Sequence, residues 1–421
     1  MLIDKIKKAF SNRFVRNAGW MGSAELANRI FHLATTVTLA RMFTAEDYGL
    51  MSVIYTTYGF ATVLTHGNGM GAKIIQADAE SALTIANTAY WLNWFLCVGV
   101  FVAQCAAAFL IAGFYGESQL TPLLCVAATT YLMLPLTMTS LAMIERENRL
   151  EVTALANVAS SFVANIVTVA CALSGAGVWS IVWGMVISTP VWTLVSWFNH
   201  PWRPPQKLKL ESTRQIIKFG GNLLGVEFLN KLKGNIDYLL VGRFLGVEAL
   251  GVYFFACNAG SGISMSVLNS FGSAMFPYFC EARDDLFELR SRFFGSLKKT
   301  SLIVMPIVLL QATLAPLYVP IIFGDRWVPA IPIIVMVCLS AVPFPVFYAV
   351  GSLLNAVDKT RTNLLITMVS TGGFVILVLL TAPRGIMHVA AASLGLQWVS
   401  LLFYIWLIRH LFPKKSAITT V

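Results

Sequence analysis

The chain has 421 residues, of which 57% are hydrophobic and only 12% are charged, whereas a soluble globular protein carries roughly 25% charged residues. This composition excludes an ordinary soluble enzyme and leaves room for about a dozen membrane spans of about 20 apolar residues each. The formal charge of +10 could indicate nucleic-acid binding, but in so apolar a chain basic residues are expected in the loops that orient the spans.

Apolar runs between charged or Pro/Gly-rich breaks predict twelve transmembrane helices. In chain order they cover 17–40, 49–71, 83–113, 122–144, 152–173, 178–198, 219–242, 249–275, 300–323, 328–354, 363–382 and 386–409. The prediction is therefore an all-α polytopic membrane protein. Its seven cysteines have no CxxC spacing, which indicates buried thiols and predicts neither a disulfide framework nor a metal site.

The distribution of basic residues predicts the orientation of these helices. With the N-terminus in the cytoplasm, 23 of the 30 lysines and arginines fall on the cytoplasmic side and four on the other side. Cytoplasmic loops carry such an excess in membrane proteins, so both termini are predicted to be cytoplasmic. The charge therefore indicates topology, and we predict no nucleic-acid partner.

The chain is predicted to consist of two lobes. A cytoplasmic loop rich in proline follows the sixth span, and we take residues 200–213 as a linker. The N-terminal lobe is then 1–199, with spans one to six, and the C-terminal lobe is 214–421, with spans seven to twelve. The loops on the opposite side are all short, which leaves no room there for a catalytic domain.

An internal repeat supports two lobes of the same orientation. An offset of 202 residues aligns the first span with the seventh, and an offset of 208 places Pro135 on Pro343. The first alignment matches Gly19 with Gly221, Glu25 with Glu227, Asn28 with Asn230, Arg29 with Lys231, Arg41 with Arg243, Glu46 with Glu248 and Gly49 with Gly251. A parallel repeat of six-helix lobes is typical of transporters that move around a central cavity.

Three cations fall inside predicted spans: Arg29, Lys231 and Lys233. A charge near the membrane centre costs about 3 kcal/mol on insertion scales and usually faces a bundle interior or a wet cavity. One interpretation is that these cations, with Asn28 and Asn230, bind an anionic substrate, because Arg and Lys both bind phosphate.

A structural interpretation stays open beside this one. Glu25 lies four residues before Arg29 and Glu227 four before Lys231, so each pair could form an ion pair that only neutralises charge and holds helices together. Lys233 has no adjacent acidic residue, which favours the cavity. Alternatively, Glu25, Glu227 and Asp237 couple transport to protons or sodium ions, and Asp237 is the best single candidate for this role.

Two further groups have candidate roles. Arg41 and Arg243 lie at predicted outer helix ends, where they could cap carbonyls or pair with Glu46 and Glu248 as a gate. His66 lies in the glycine-rich stretch Thr65-His-Gly-Asn-Gly-Met-Gly71, which is neither a P-loop nor a dinucleotide fingerprint. Its glycines are typical of close helix packing, and a substrate contact for His66 is the alternative.

The stretch Asp237-Tyr-Leu-Leu-Val-Gly-Arg-Phe-Leu-Gly, with Leu39-Ala-Arg-Met-Phe43, Tyr48-Gly49 and Ile74-Ile-Gln76, resembles bacterial polysaccharide flippases of the Wzx type. This is the colanic-acid-exporter-like branch of the multidrug/oligosaccharidyl-lipid/polysaccharide exporter superfamily. The resemblance implies movement of an undecaprenyl-pyrophosphate-linked oligosaccharide across the bacterial inner membrane by alternating access, for exopolysaccharide, capsule or lipopolysaccharide O-antigen synthesis. It also implies membrane lipids, a polysaccharide polymerase and a chain-length regulator as partners, and no cofactor.

In the related flippase of peptidoglycan synthesis, cavity arginines are thought to hold the pyrophosphate, and Arg29 corresponds to one of them. A second falls near Thr35 and is absent here, so Lys231 and Lys233 are expected to replace it. Many members of this branch also have 14 spans, two more than predicted for this chain.

Other functions make different demands on the sequence. A cation-coupled multidrug exporter should carry net acidic cavity residues, and a membrane glycosyltransferase or polymerase should carry a large outer loop or an acidic site. A non-transporting scaffold should carry closed ion pairs and no cavity. We therefore expect a transporter and no catalytic residues.

Overall fold

A computed structural model describes residues 13–65, 68–205, 207–208, 213, 227–228, 231–232 and 234–412. This part of the chain contains helices and turns and no strand. It divides into two compact units, one ending at Asn235 and one beginning at Ile236. The predicted lobe boundaries at 199 and 214 stay a prediction, because most of the chain between Gln206 and Asn235 lies outside the described residues.

The described part of the first unit contains eight helices and one interruption. The helices are α1 (Arg13–Met42), α2 (Ala45–Thr65), α3 (Asn68–Gln76), α4 (Ala79–Tyr115), α5 (Leu120–Ala128), α6 (Leu134–Arg146), α7 (Leu150–Leu173) and α8 (Trp179–Asn199). A 3-10 segment, Thr129–Met133, separates α5 from α6.

The described part of the second unit contains six helices joined by turns and by short π-helical or 3-10 segments. They are α9 (Ile236–Cys280), α10 (Leu286–Tyr318), α11 (Ile331–Ser340), α12 (Phe344–Ala356), α13 (Thr360–Thr381) and α14 (Ile386–Leu411). Gly246 divides α9 into two arms, because its φ of 86° is a conformation that favours glycine and interrupts the helix.

Nine described segments are long and apolar enough to cross a membrane. They are Ala82–Tyr115, Leu120–Arg146, Leu150–Leu173, Trp179–Asn199, Ile236–Gly262, Leu286–Phe323, Asp325–Ala356, Thr360–Arg384 and Ile386–Leu411. Eight of them correspond to predicted spans three to six and nine to twelve, whereas Ile236–Gly262, which Gly246 interrupts, covers the end of the seventh and the first part of the eighth. The helices α1 and α2 cover most of the first two predicted spans. The predicted all-α membrane fold is confirmed, while 219–226, 229–230 and 233 of the predicted seventh span, 219–242, lie outside the described residues.

Helix packing in the first unit depends on small and aromatic residues. The Phe31 ring on α1 lies 5.1 Å from the Phe162 ring on α7. A Cβ atom at Gly184 on α8 would lie 3.0 Å from the Ala164 carbonyl oxygen, so this glycine permits close approach of α7 and α8, as small residues do in membrane bundles.

The second unit is held by aromatic stacking. Phe255 stacks on Trp327 with ring centroids 3.9 Å apart. At the predicted cytoplasmic end of this unit, the centroid of the Phe293 ring lies 6.1 Å from that of Phe279 and 5.5 Å from that of Phe412. Such pairs contribute about 0.5–1.5 kcal/mol beyond the area they bury, so they fix the ends of the long helices α9, α10 and α14.

Both units contain a span that is interrupted near its middle. In the first, the 3-10 segment ends just before Leu134-Pro135 at the start of α6. In the second, a turn follows Ser340, and Pro343 precedes α12. Proline lacks the N–H that would continue the hydrogen-bond ladder, so the helix restarts at each site. The repeat that aligned Pro135 with Pro343 thus corresponds to the same backbone feature in each unit.

The described part of the predicted linker lies on the first unit. His200 is buried: its Nδ1 accepts from the Trp202 amide at 3.0 Å, and its Nε2 lies 3.3 Å from a Glu147 carboxylate oxygen. The indole N–H of Trp202 donates to Asn87 at 3.2 Å. Burial lowers the pKa of His200 below its usual 6.5, although the Glu147 carboxylate opposes this effect. The neutral imidazole therefore holds residues 200–203 against the helix ends.

Candidate functional site

The first helix carries its polar residues on two different faces. Thr35 is buried and donates to the Asn165 side chain of α7 at 2.5 Å. Arg29 precedes Thr35 by six residues, which is about 240° around a helix, and its side chain is exposed. The contacts with α7 therefore turn the guanidinium away from that neighbour. They also explain why an arginine at position 35 would not fit, since this position lies in a helix interface.

Asn28 presents an unused hydrogen-bond acceptor. The residue is half-buried, and its Oδ1 atom has no hydrogen-bond partner in the described part of the chain. A buried acceptor without a partner costs about 1–3 kcal/mol. This cost is recovered if a ligand supplies a donor, such as a hydroxyl group.

Lys231 lies across the backbone of α2. A Cβ atom at Gly59 would stand 2.7 Å from the Lys231 Nζ atom, closer than van der Waals contact permits. The Phe228 ring lies 5.5 Å from the Phe60 ring, and Asn235 donates to the Lys231 carbonyl at 2.7 Å. This short stretch of the chain thus packs on α2 where glycine leaves space for the lysine side chain.

The Lys231 ammonium group pairs with no carboxylate among the residues that the structure describes, Glu227 included. The i, i+4 ion pair of the structural interpretation is therefore not formed here. Gly59 lies on α2, fourteen residues after Ala45 and six before Thr65. The cation therefore lies against a helix that coincides with part of the predicted span 49–71.

Aromatic and amide groups surround the next turn of α2. Tyr58 stacks on Tyr131 with centroids 5.6 Å apart, and the Tyr131 hydroxyl donates to Gln104 Oε1 at 2.8 Å. Gln104 Nε2 in turn donates to the Leu124 carbonyl at 2.9 Å. These residues were missed by sequence reasoning, although Gln104 is a polar residue inside an apolar run and was a visible signal.

Asp237 contacts a tyrosine across the break in α9. The Tyr253 hydroxyl donates to Asp237 Oδ2 at 3.0 Å, and the Tyr238 ring lies edge-on to that of Tyr253 at 5.9 Å. No lysine or arginine of the described ranges forms an ion pair with this carboxylate. Gly246 brings the two arms of α9 together, and so makes this contact between residues 16 positions apart possible.

The predicted gate residues lie at helix ends. Arg41 is in the last turn of α1 and Glu46 in the first turn of α2, but Asp47 accepts the capping hydrogen bond from the Thr44 amide at 2.9 Å. Arg243 and Glu248 are exposed on the two sides of the α9 break. Within the described chain, neither arginine forms an ion pair with its expected glutamate.

Some predicted site residues cannot be placed. His66, Asn230 and Lys233 lie outside the described residues, and Glu25 is on α1 in a stretch whose side chains are not among those described. No group of three or more His, Cys, Asp or Glu side chains in the searched part of the chain is arranged to hold a metal ion.

The fold is that of multi-span membrane transporters. The lipid II flippase MurJ, in an inward closed conformation, superposes with a TM-score of 0.75 at 13% identity, over 92% of this chain and 87% of MurJ. An inward-facing multidrug resistance MATE family transporter of the MOP superfamily superposes with a TM-score of 0.68 at 14% identity, over 91% and 95% of the two chains.

The sequence identifies the family within this class. The model of the family described as polysaccharide biosynthesis protein matches residues 38–332, and the chain belongs to this family. It is 26% identical over 360 residues to the lipopolysaccharide biosynthesis protein WzxC of Escherichia coli strain K12, covering 83% of this chain and 71% of WzxC. This confirms the resemblance inferred from the motifs.

Two further relatives are involved in other polysaccharides. The teichuronic acid biosynthesis protein TuaB of Bacillus subtilis strain 168 is 24% identical over 359 residues, 85% of this chain and 73% of TuaB. The succinoglycan biosynthesis transport protein ExoT of Rhizobium meliloti strain 1021 is 21% identical over 328 residues, 77% of this chain and 65% of ExoT. The family is thus common to several polymers.

Proposed function

We propose that the chain moves a lipid-linked oligosaccharide repeat unit from the cytoplasmic to the outer leaflet of the bacterial inner membrane, for polysaccharide assembly. Its family and the names of its relatives support this substrate class, and the MurJ-like fold supports the transport of a large lipid-linked cargo. The proposed partners are the substrate, membrane lipids, a polysaccharide polymerase and a chain-length regulator, with both termini in the cytoplasm.

The observation that carries this proposal is the position of Lys231. A cation inside a predicted span is costly unless it has an anionic or aqueous partner, and no described carboxylate pairs with Lys231. The pyrophosphate group of a lipid-linked sugar would supply that anion through charge-assisted hydrogen bonds of about 1.5–3 kcal/mol.

Other residues are assigned supporting roles in the same site. Arg29 offers a bidentate guanidinium to phosphate, and the Asn28 Oδ1 acceptor suits a sugar hydroxyl, since an ionised phosphate has no donor to offer it. Lys233, Asn230 and His66 are proposed as further substrate contacts. Arg41, Arg243, Glu46 and Glu248 are proposed to act at the outer helix ends.

Acidic residues are proposed to couple transport to an ion gradient. Asp237 is the first candidate, because its carboxylate contacts a tyrosine hydroxyl and no described basic side chain. Such an ionisable group in a span is a functional candidate by default. Glu25 and Glu227 are the other candidates, and the coupling ion is a proton or a sodium ion.

A cation-coupled multidrug exporter is the second candidate function. The MATE-like fold and the Asp237 carboxylate favour it. An exporter of cationic drugs requires net negative charge where the drug binds, whereas Lys231, which lies against α2 in the first unit, is a cation. A lipid-linked anion is therefore the better match.

The test is transport in proteoliposomes loaded with the lipid-linked repeat unit extracted from cells that lack this gene. Lys231→Ala and Arg29→Ala should abolish transfer, whereas Lys298→Ala, which removes an exposed lysine of α10 on the predicted cytoplasmic side of the span 300–323, should leave it unchanged. Full transfer by both Lys231→Ala and Arg29→Ala would refute the phosphate role. Transfer of a cationic dye in place of the lipid would favour the exporter.

A further inference from the structure

Four neutral polar side chains lie together in the second unit. The Tyr348 hydroxyl donates to Asn269 Oδ1 at 2.7 Å, joining α12 to α9. Asn363 Nδ2 donates to Asn355 Oδ1 at 3.0 Å, joining α13 to α12. Tyr348 and Asn355 are seven residues apart on α12 and therefore share one helix face. We call Asn269, Tyr348, Asn355 and Asn363 the amide stripe.

Two glycines make room for this stripe. A Cβ atom at Gly272 on α9 would lie 2.7 Å from Tyr348 Cδ1, so the tyrosine ring lies directly against the α9 backbone. A Cβ atom at Gly351 would be 3.7 Å from Asn363 Oδ1, which places the Asn363 amide over α12 between Tyr348 and Asn355. The stripe thus contains residues of the three helices α9, α12 and α13.

Much of the hydrogen-bonding capacity of the stripe is unused. Each asparagine offers two donors and an acceptor. The described chain provides no partner for the amide nitrogens of Asn269 and Asn355 or for the Asn363 oxygen. Asn269 is exposed, and the other three side chains are half-buried. Asn355 and Asn363 flank the turn between α12 and α13, at the predicted cytoplasmic ends of these spans, and Asn269 and Tyr348 each lie six residues inside the predicted ends of theirs. Accessible polar groups at this position face water or a polar cargo that enters from the cytoplasm.

We infer that the amide stripe binds the sugar part of the cargo through its hydroxyl groups, an inference that rests on the proposed function. Sugar hydroxyls both donate and accept, which matches neutral amide and phenol groups. A phosphate group requires cations, and a cationic drug requires carboxylates, whereas all four side chains of the stripe are neutral. The stripe thus recognises a different part of the cargo from Lys231, which we assign to the phosphate.

The experiment measures binding of two lipids to the purified full chain: the lipid-linked repeat unit from cells lacking this gene, and bare undecaprenyl pyrophosphate. Wild type should prefer the glycosylated lipid. Tyr348→Phe, Asn269→Ala and Asn363→Ala should each reduce that preference roughly 3- to 10-fold, as expected for one or two lost hydrogen bonds, with unchanged affinity for the bare lipid.

Ser393→Ala is the matched control in the same unit. Its hydroxyl donates at 2.8 Å to the Val389 carbonyl within α14, so its loss should leave both affinities unchanged. If the stripe variants bind both lipids like wild type, or lose both in parallel with a lower melting temperature, the stripe only holds helices together and the inference is wrong. If wild type binds neither lipid, the proposed function is wrong. Binding of the bare lipid by wild type therefore separates failure of the proposed function from failure of this inference.

Discussion

Gly59→Ala is predicted to impair substrate binding without weakening the protein. The new methyl group would stand 2.7 Å from the Lys231 Nζ atom, whereas atoms in contact are about 3.5–4.0 Å apart. The ammonium group must therefore move by about 1 Å. A charge-assisted hydrogen bond of about 1.5–3 kcal/mol does not tolerate this shift, so substrate affinity should fall by roughly 10- to 100-fold.

The stability of the same variant should change in the opposite direction. Alanine is favoured over glycine inside a helix by about 1 kcal/mol, so Gly59→Ala should melt at or above the wild-type temperature while its affinity for the lipid-linked substrate falls. Gly99→Ala on α4 is the control, because a Cβ atom at Gly99 meets nothing within 4 Å.

The assay is titration of the purified chain with the lipid-linked repeat unit, alongside thermal melting. In a double-mutant cycle, Lys231→Ala should add little to Gly59→Ala, because both changes disturb the same contact. Wild-type affinity in Gly59→Ala, or full additivity of the two changes, would refute the reasoning.

Three further predictions concern other contacts. Stability contributed by neutral His200 is present above its unfolded pKa of about 6.5 and is lost as the pH falls through its lower folded value. Relative to its intrinsic rate, amide exchange at Trp202 should therefore become faster as the pH falls below about 6.5, and His200→Gln should remove this excess. Asp237→Asn should fold normally but abolish the dependence of transport on an imposed ion gradient, whereas Asp237→Asn with unchanged ion dependence would exclude this residue as the coupling site. Thr35→Val should lower the free energy of unfolding by about 0.6–2 kcal/mol, which is the contribution of an interhelical hydrogen bond in a membrane, and Thr35→Ser should retain it. Equal melting temperatures of wild type and both variants would show that this bond is not stabilising.

Hydropathy was sufficient to predict most of the membrane-crossing segments that the structure describes, because the bilayer requires a long apolar run from each helix. The internal repeat went further and paired Pro135 with Pro343, at which both units interrupt a helix. These features depend only on neighbouring residues in the chain: a proline interrupts the helix in which it stands, and an apolar run forms a span by itself. They could therefore be predicted from the sequence alone.

Contacts between distant helices could not be predicted in this way. Lys231 was a candidate because of its charge, but its position over Gly59 depends on packing between segments more than 170 residues apart. Thr35 has no unusual property in the sequence, and only the adjacent helix shows that it lies in an interface. In contrast, the capping role of Asp47 could have been predicted from the sequence, because Thr44 and Asp47 have the spacing of a capping box. Glu46 was named as the functional residue there instead.

The most direct test measures whether residue 231 is accessible to water and whether bound substrate protects it. Lys231→Cys, made in a variant in which the seven native cysteines are replaced, would be treated with a charged, membrane-impermeant thiol reagent in proteoliposomes. We predict rapid labelling that the lipid-linked repeat unit suppresses and a neutral lipid does not. A cysteine that is not labelled, or is labelled equally fast with and without the substrate, would contradict the account.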